Sequence, residues 1–534
     1  MEHRRQVRKH DGSLCSLGRH AALLTLLVLA ACSAGGDSEQ PPNTPLTTPM
    51  ALVVNQDDTT LTTLRLDGKN SPVISTLSLG PVQPDAIGGV AFSLGEWIFV
   101  TNSAGNRVAT IDPIGALAPI LEGFLTENPL DIRVKIGQRP TRIYRDPVDK
   151  EVLWTMNDGD PVTGIDTAAN CPHGGSVSVL HNSHLGVGGE KPRVTSIVCL
   201  SGKGDHFIEF SRPPVTPQKI AFVSSKTTGL VSILLPVNNT AWSEFFVKID
   251  LCDSVKETSL GHPACDLNAT TPNHSAPAGM FWSHATGKIY SYLSGYGTVV
   301  EIDPVNLVVS RTVEITPQGN TQFHSVGVTP DGRFLFLAGE DILSDLIAAA
   351  PSGNVCQANP KVYGRFAVVD LTVPALSVQS FTIPGLDNIR PAHFQFAPDG
   401  QRLYLTQSNK VNDLPCAAQA NNLKLDKVLV FDPSPFRAVS GPAAPAFVGE
   451  IDLPPVGAGG MHGMDLWVAG PHGAGSAKGV IVTNAMSGVN GTVSLIDASR
   501  NTITVTIPVG RNPKQVTVYY YGLAASDNQA TPIW

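Results

Sequence analysis

Six side chains with metal-binding or cationic chemistry lie at one position relative to a recurring turn motif, or one residue away from it. His324 stands six residues before the proline of a Pro-Asp-Gly turn at 330–332, and His393 stands one residue out of that register before a second such turn. Lys514 and two further histidines align with His324, and Arg142 lies next to the aligned position. The full set is His206, His324, His393, His462, Lys514 and Arg142.

Three kinds of chemistry fit this set. Neutral imidazoles are good ligands for copper, zinc and iron. A ring of histidines with added cations could instead hold an anionic ligand or an acidic side chain of a partner. The third interpretation is structural: each histidine hydrogen-bonds to neighbouring backbone where a strand begins. The residues alone leave these three interpretations open.

Cysteine is the second residue type with reactive potential. The chain has eight cysteines but no CxxC or CxxCH motif, which favours disulfides over redox or haem chemistry. Six lie beyond the first fifty residues, and six cysteines allow 15 pairings. They are Cys171, Cys199, Cys252, Cys265, Cys356 and Cys416.

The N-terminal segment indicates export, which would make disulfides possible. Basic residues precede an apolar run at 21–29, which is shorter than the about 20 residues that span a bilayer. The pattern is typical of a secretory signal peptide. It ends in Leu-Ala-Ala-Cys, which resembles the bacterial lipobox and implies cleavage before Cys32 and lipidation of that cysteine. We expect a signal peptide at 1–31, then a lipidated cysteine and flexible tether at 32–50, which anchor an exported, periplasm-facing or surface-exposed protein to the outer membrane.

Composition favours one large β architecture for the rest of the 534 residues. Charged residues are 15% of the chain, below the about 25% of ordinary soluble proteins. The 50 glycines and 42 prolines favour many short strands joined by tight turns over helical bundles. The net charge of -8 disfavours nucleic-acid binding.

Internal repeats support this view. WIFVTNSAGNRVATIDP (97–113) and GVIVTNAMSGVNGTVSLIDA (479–498) each read as two strands joined by a Gly/Asn turn. VGVTPDGRFLFLAG (326–339) and FQFAPDGQRLYLTQ (394–407) each read as two strands joined by Pro-Asp-Gly. Together with TITVTIPVG (502–510) they define a four-strand unit, a-b-c-d. These motifs resemble the YVTN β-propeller repeat family over nearly all of residues 51–522, and the His arrangement is loosely similar to propellers of the cytochrome d1 and nitrous-oxide reductase types.

We therefore predict an all-β chain with a single β-propeller over residues 51–522 and a C-terminal tail at 523–534. Eight fourth strands can be counted, one of them at 133–137, so eight four-stranded blades are expected, with seven as the alternative. Residues 51–79 lack a first strand and residues 514–522 lack the other three, so the C-terminal strand should complete the N-terminal blade and close the ring.

The meander places the start of strand a, the b–c loop and the end of strand d on one face, which we call the top face. All six cysteines fall there, which makes the sequential pairs Cys171–Cys199, Cys252–Cys265 and Cys356–Cys416 the economical choice. Three b–c insertions would form a collar over the opening, at 158–175, 341–363 and 410–425. The aspartates that recur at the ends of c strands suggest turn capping; they are Asp112, Asp303, Asp370, Asp432 and Asp497.

These features predict a monomeric binding or scaffold module that is attached to the membrane by its lipid anchor. Its top face would engage an envelope protein or a small ligand, and no nucleic acid. The alternative is a redox enzyme that uses the His-lined central funnel to hold a transition metal (copper, iron or zinc) or a non-covalent haem. The binding or scaffold function requires no cofactor.

Overall fold

The structure is a computed structural model, and its described residues belong to one compact unit. The predicted signal peptide, Cys32, most of the predicted tether and the predicted C-terminal tail lie outside the described residues. The structure describes residues 49–520 except 67–72, 82–86, 93–96, 113–118, 128, 130–133, 150–151, 182–191, 239–240, 266–272, 316–320, 343–361, 388, 410–424, 438–442, 455–461, 469–476 and 486–487.

The described residues form eight antiparallel sheets of four strands each, which are the eight blades of a β-propeller. The strands of blades 1 to 4, in the order a-b-c-d, are β32 (Pro513–Tyr520), β1 (Pro49–Asn55), β2 (Thr60–Arg65), β3 (Val73–Ser78); β4 (Ile87–Phe92), β5 (Ile98–Asn102), β6 (Arg107–Asp112), β7 (Ile120–Thr126); β8 (Pro140–Arg145), β9 (Val152–Asn157), β10 (Ser176–His181), β11 (Arg193–Cys199); β12 (His206–Ser211), β13 (Ile220–Ser225), β14 (Leu230–Pro236) and β15 (Trp242–Asp250).

The strands of blades 5 to 8 follow the same order. They are β16 (Pro277–Ser283), β17 (Lys288–Leu293), β18 (Thr298–Asp303), β19 (Val308–Glu314); β20 (Thr321–Val328), β21 (Phe334–Ile342), β22 (Val362–Asp370), β23 (Ser377–Asp387); β24 (Ile389–Phe396), β25 (Leu403–Asn409), β26 (Lys427–Asp432), β27 (Ala446–Asp452); β28 (Met464–Val468), β29 (Ala477–Asn484), β30 (Asn490–Asp497) and β31 (Thr502–Arg511).

The ring closes as the sequence predicts. The C-terminal strand β32 pairs antiparallel with β1, so the N-terminal blade takes its inner strand from the other end of the chain. In this register Ala51 lies opposite Val518 and Val53 opposite Val516. Closure therefore leaves no blade without its inner strand, and eight blades, not seven, complete the ring.

Burial explains why the middle strands read as continuous apolar runs. Every residue of β9 and of β18 is buried, because blades cover both faces of these strands. The outer strand β19 instead alternates between exposed and half-buried residues, as expected for a strand with one solvated face.

The core consists of eight apolar clusters, one at each interface between neighbouring blades. Strand β1 shows the geometry. Met50 and Leu52 pack towards blade 2, whereas Ala51 and Val53 pack towards blade 8. Alternate side chains of one strand thus bind a blade to both of its neighbours.

The turn chemistry also agrees with the sequence. Gly332 has φ +72°, and its amide donates to the Thr329 carbonyl at 2.8 Å, which closes the Pro-Asp-Gly turn. Four of the five c-strand aspartates cap the turns that follow them. Asp303 accepts from the Val305 amide at 2.8 Å and Asp497 from the Ser499 amide at 2.8 Å. The residues that follow Asp112 lie outside the described part of the chain.

One strand prediction is wrong. The fourth strand of blade 2 is Ile120–Thr126, not residues 133–137. In the latter segment Ile136 is fully buried in the cluster between blades 2 and 3, and its amide donates to the Thr126 carbonyl at 2.9 Å. The apolar alternation that resembled an outer strand comes from a loop that contributes to the core.

Helix is scarce in the described residues. An α-helix, α1, covers Ser254–Ser259, and a 3-10 turn covers Ser434–Arg437. The insertions at 341–363 and 410–425 lie almost wholly outside the described residues. No helix in the described part of the chain has the length and apolar character needed to cross a bilayer.

Closure by β32 can be tested with one substitution in the closing strand. Val518 is 5% exposed in the cluster between blades 8 and 1, so Val518→Asp should place a charge in an apolar interface. We expect the free energy of unfolding in urea to fall by at least about 3 kcal/mol.

The control is Val505→Asp on the outer strand β31, where the side chain is 41% exposed. This variant should change the free energy of unfolding by less than about 1 kcal/mol. Equal effects of the two substitutions would contradict the role of β32 as a buried closing strand.

Candidate functional site

The predicted funnel residues lie on or just before the inner strands, at the top face. His206 begins β12, while Arg142 and Lys514 are the third and second residues of β8 and β32. His324 and His393 lie further into β20 and β24, and His462 precedes β28. They therefore occupy equivalent regions of different blades.

His206 is tied to the blade before its own. The ring is 1% exposed, with Nδ1 at 2.9 Å from Asp158 Oδ1 and Nε2 at 3.2 Å from the Gly202 carbonyl. Asp158 follows directly on β9 of blade 3 and also accepts from the His206 amide at 3.2 Å. Gly175 makes the contact possible, because a Cβ there would lie 2.7 Å from the imidazole.

His462 repeats this arrangement on blade 8. Its Nδ1 lies 2.7 Å from the Thr483 carbonyl and its Nε2 lies 2.8 Å from Asp426 Oδ2, where Asp426 belongs to blade 7. Both side chains are buried. The Thr483 carbonyl and the Asp426 carboxylate are hydrogen-bond acceptors, so both ring nitrogens of His462 face acceptor oxygens. All four ring nitrogens of His206 and His462 therefore lie within hydrogen-bond distance of oxygen atoms of the protein.

His393 has a different environment. Its amide donates to Thr406 Oγ1 at 3.1 Å, and that hydroxyl donates to the His462 carbonyl at 3.1 Å, which links the inner strands of blades 7 and 8. Burial, together with repulsion from His462, lowers the pKa of His393 to about 4. The ring is therefore neutral at physiological pH.

His324 has a looser contact than the buried pair. Its Nε2 lies 3.3 Å from Glu340 Oε1, and Arg390 Nε of the next blade lies 3.9 Å from the same oxygen. The His324 side chain is 16% exposed and Glu340 is 2% exposed. A carboxylate between an imidazole and a guanidinium again joins neighbouring blades.

Arg142 also joins blades. Its guanidinium pairs with Asp205 and donates to the His206 carbonyl at 3.3 Å, and it lies 4.1 Å above the centre of the Phe207 ring. Burial alone would lower the pKa of Arg142, but Asp205 raises it above the ordinary value. The cation is thus neutralised within the protein.

The structure does not gather the four predicted histidines into one metal-sized group. His206 and His462 belong to blades 4 and 8, on opposite sides of the ring. Among the described residues, the one set of three or more His, Cys, Asp or Glu side chains with ligand atoms within 4.8 Å of each other lies elsewhere, at Glu257, His262 and His274.

Two disulfides fix loops of the top face. Cys171 is bonded to Cys199, which holds the 158–175 insertion to the end of β11. Cys252 is bonded to Cys265 in the loop after β15. Both are sequential pairs, as the sequence favours. The third predicted pair, Cys356 and Cys416, lies outside the described residues.

Sequence reasoning missed Glu257, His262 and His274, which we call the Glu257 group. Glu257 lies in α1 and is 3% exposed. Its Oε2 is 2.9 Å from His274 Nδ1, and the His262 and His274 rings stack with centres 3.6 Å apart. The sequence feature that could have pointed to this group is the pair His262 and His274 on either side of Cys265, in a segment predicted to carry a disulfide.

The Glu257 carboxylate is kept ionised. Burial opposes its charge, but hydrogen bonds from the Tyr296 hydroxyl and from the His274 amide and ring lower the pKa of Glu257 below its usual range. The His274 amide donates to Oε1 at 2.6 Å. A buried carboxylate next to two imidazoles is a donor set suited to a cation.

No family model matches the chain, and no curated protein does either. Among solved structures it is similar to the dihydro-heme d1 dehydrogenase NirN in complex with DHE, with 12% identity and TM-score 0.51 over 92% of this chain and 78% of that one. It is also similar to apo AztD from Citrobacter koseri, with 14% identity and TM-score 0.47 over 89% of this chain and 98% of that one.

The Pseudomonas aeruginosa periplasmic gluconolactonase PpgL is a further neighbour, with 14% identity and TM-score 0.46 over 82% of this chain and 98% of that one. At 12% identity the likeness to NirN shows the fold alone. A β-propeller fold does not by itself choose between catalysis and binding.

Proposed function

We propose that this protein is an exported, lipid-anchored β-propeller that binds a ligand or partner protein through its top face. The lipobox-like sequence before Cys32 supports export and anchoring. The resemblance to YVTN repeats supports a propeller that works outside the cytoplasm. Two disulfide-fixed loops of the top face support the binding role.

The observation that carries the proposal is the covalent fixing of two top-face loops. The b–c connection between Asn157 and Ser176, and the d–a connection between Asp250 and Pro277, are both long and each carries a disulfide. On the opposite face, by comparison, the connection between Asp303 and Val308 is short. Loops that are already ordered lose less conformational entropy on binding, which raises affinity.

The contacts of the histidines favour this function over the redox alternative. A metal or haem iron in the funnel would need imidazole nitrogens free to ligate it. Both nitrogens of His206 and of His462 instead face protein oxygens. The rings therefore act as ties between blades, and the ligand-facing chemistry of the top face belongs to the loops.

This structural role of the histidines gives a prediction about stability. His462→Gln should lower the free energy of unfolding in urea by about 2–4 kcal/mol, because it removes the buried imidazole that contacts both the Asp426 carboxylate and the Thr483 carbonyl. The control is His324→Gln, a partly exposed residue with one long contact, which should cost less than about 1 kcal/mol. Equal, small losses in both variants would contradict a tie at His462.

Anchoring is tested by replacing the predicted lipid-bearing cysteine. The wild-type chain expressed in a Gram-negative host should fractionate with membranes and need detergent for release. Cys32→Ser should move it to the soluble periplasmic fraction, because the thiol that carries the lipid is gone. Cys15→Ser is the matched control and should leave the chain with the membranes. Membrane retention of the Cys32→Ser protein would overturn the lipoprotein assignment.

Top-face binding is tested by photo-crosslinking in the producing cells. A photoreactive residue is placed at Val162, which is 90% exposed in the first disulfide-fixed loop, or at Gln401 in an opposite-face turn. We expect adducts, seen as mass shifts, to be at least fivefold more abundant at Val162. Paired Cys171→Ser and Cys199→Ser substitutions should reduce them. Equal yields at both positions, or none at Val162, would contradict the proposal.

A further inference from the structure

We propose that Glu257, His262 and His274 form a binding site for a divalent transition-metal cation such as Zn²⁺ on the top of blade 5. This inference rests on the proposed function, because it names the class of ligand that the top face binds. The site lies between the loop after β15 and the b–c turn of blade 5.

The spacing of the donor atoms suits one ion. One ligand atom from each of the three residues lies within 4.8 Å of the others, and Glu257 Oε2 lies 2.9 Å from His274 Nδ1. Donor atoms around a tetrahedral zinc with bonds of about 2.0–2.1 Å are about 3.4 Å apart. The donor atoms therefore need to approach by at most about 1.4 Å, and the stacked His262 and His274 rings need to turn until their nitrogens converge on one point. The 51% exposed His274 side chain has room for this movement.

The backbone brings the two loop residues to the carboxylate. Asp253 caps α1 by accepting from the Val255 amide at 2.9 Å, which fixes the helical turn that carries Glu257. The His262 amide donates to the Glu257 carbonyl at 3.0 Å, and the His274 amide donates to Glu257 Oε1 at 2.6 Å. Each histidine is thus positioned by Glu257 itself.

The carboxylate is oriented by residues behind it. The Tyr296 hydroxyl donates to Oε1, which leaves Oε2 directed at His274. Tyr296 is 6% exposed and belongs to the apolar cluster between blades 4 and 5, so its hydroxyl is held by the core. Outer partners of this kind fix the geometry of metal ligands and raise affinity.

The Cys252–Cys265 disulfide encloses the loop that holds Glu257 and His262. The Cys265 amide donates to Ser254 Oγ at 3.1 Å, and Asn273 Nδ2 donates to Asp250 Oδ1 at 2.8 Å. These bonds fasten both ends of the connection that carries the three donors. The site is therefore largely formed before a cation arrives, which lowers the entropic cost of binding.

The donor set determines the class of cation. Two imidazoles and one carboxylate suit zinc, copper, nickel or iron, whereas calcium and magnesium prefer oxygen ligands only. On binding, the cation takes the position of the hydrogen bond between His274 Nδ1 and Glu257 Oε2. Three protein ligands leave a fourth position for water or for a group of a docking molecule.

The test is a calorimetric titration of ZnCl₂ into the detergent-purified full chain after treatment with chelator. We expect one equivalent of zinc with a micromolar or lower Kd. His262→Ala and His274→Ala should each weaken binding at least tenfold. Both histidines are partly exposed, so these variants should unfold at the wild-type temperature in the absence of metal. Glu257→Gln should have a similar effect on affinity and tests the buried ligand.

His284→Ala is the matched control, since His284 lies in the exposed a–b turn of the same blade, on the opposite face. It should bind zinc as the wild type does. A second readout is the visible spectrum of the Co²⁺-loaded chain, whose intense absorption reports a four-coordinate site and should disappear with His262→Ala. Loss of binding equally in the His284 variant, unchanged binding in the His262 and His274 variants, or a Kd above 1 mM would each overturn the site.

Failure of this site and failure of the proposed function give different results. If the top face binds a partner without metal, the crosslink at Val162 persists in chelator-treated cells while zinc titration of the purified chain shows no site. If the protein binds zinc but has no top-face partner, the titration succeeds and the crosslink is absent. The first result overturns the metal site, and the second overturns the binding of a partner protein at the top face.

Discussion

The packing of every blade against two neighbours is the interaction on which the rest of this structure depends. Alternate residues of β1 point in opposite directions. Met50 and Leu52 lie in the interface with blade 2, whereas Ala51 and Val53 lie in the interface with blade 8. Each fully buried side chain of this kind contributes about 1.5–3 kcal/mol. Because both faces of a blade are needed, the ring is stable only when closed, and β32 supplies the last inner strand.

The same constraint explains why histidines recur at the starts of inner strands. At these positions the sheet hydrogen bonds end while the blades are still in contact, so buried polar groups need partners from the adjacent blade. His206 with Asp158 and His462 with Asp426 supply them, with an imidazole on one blade and a carboxylate on the preceding one. A polar residue can therefore recur in a repeat protein because each repeat needs the same hydrogen bond to its neighbour, and not only because the residues share an active site.

The sequence was informative where one repeat contains the whole signal. Strand pairs, Pro-Asp-Gly turns, aspartate caps and the split N-terminal blade are local patterns, and all were predictable. It misled at 133–137, where the apolar alternation of a core-forming loop resembled an outer strand. Sequence reasoning missed the Glu257 group, because contacts outside the repeats bring its members together: Glu257 of α1 meets both His274, which precedes β16, and Tyr296 in the b–c turn of blade 5. Contacts between non-repeating loops leave no periodic trace in the chain.

The size of the ring determines where a compact cation site can form. Sheets that pack face to face are about 10 Å apart, and positions four blades apart lie across the whole channel. Donor atoms of one zinc ion must come within about 3.4 Å of each other. Among the residues that the structure describes, the histidines of the inner strands do not form a group with three donors this close together. A loop that crosses from the outer strand of one blade to the inner strand of the next brings non-equivalent residues together over a single blade, as the connection between Asp250 and Pro277 does with Glu257, His262 and His274. In this fold the regular blades provide rigidity, and the irregular connections provide the short distances that coordination chemistry requires.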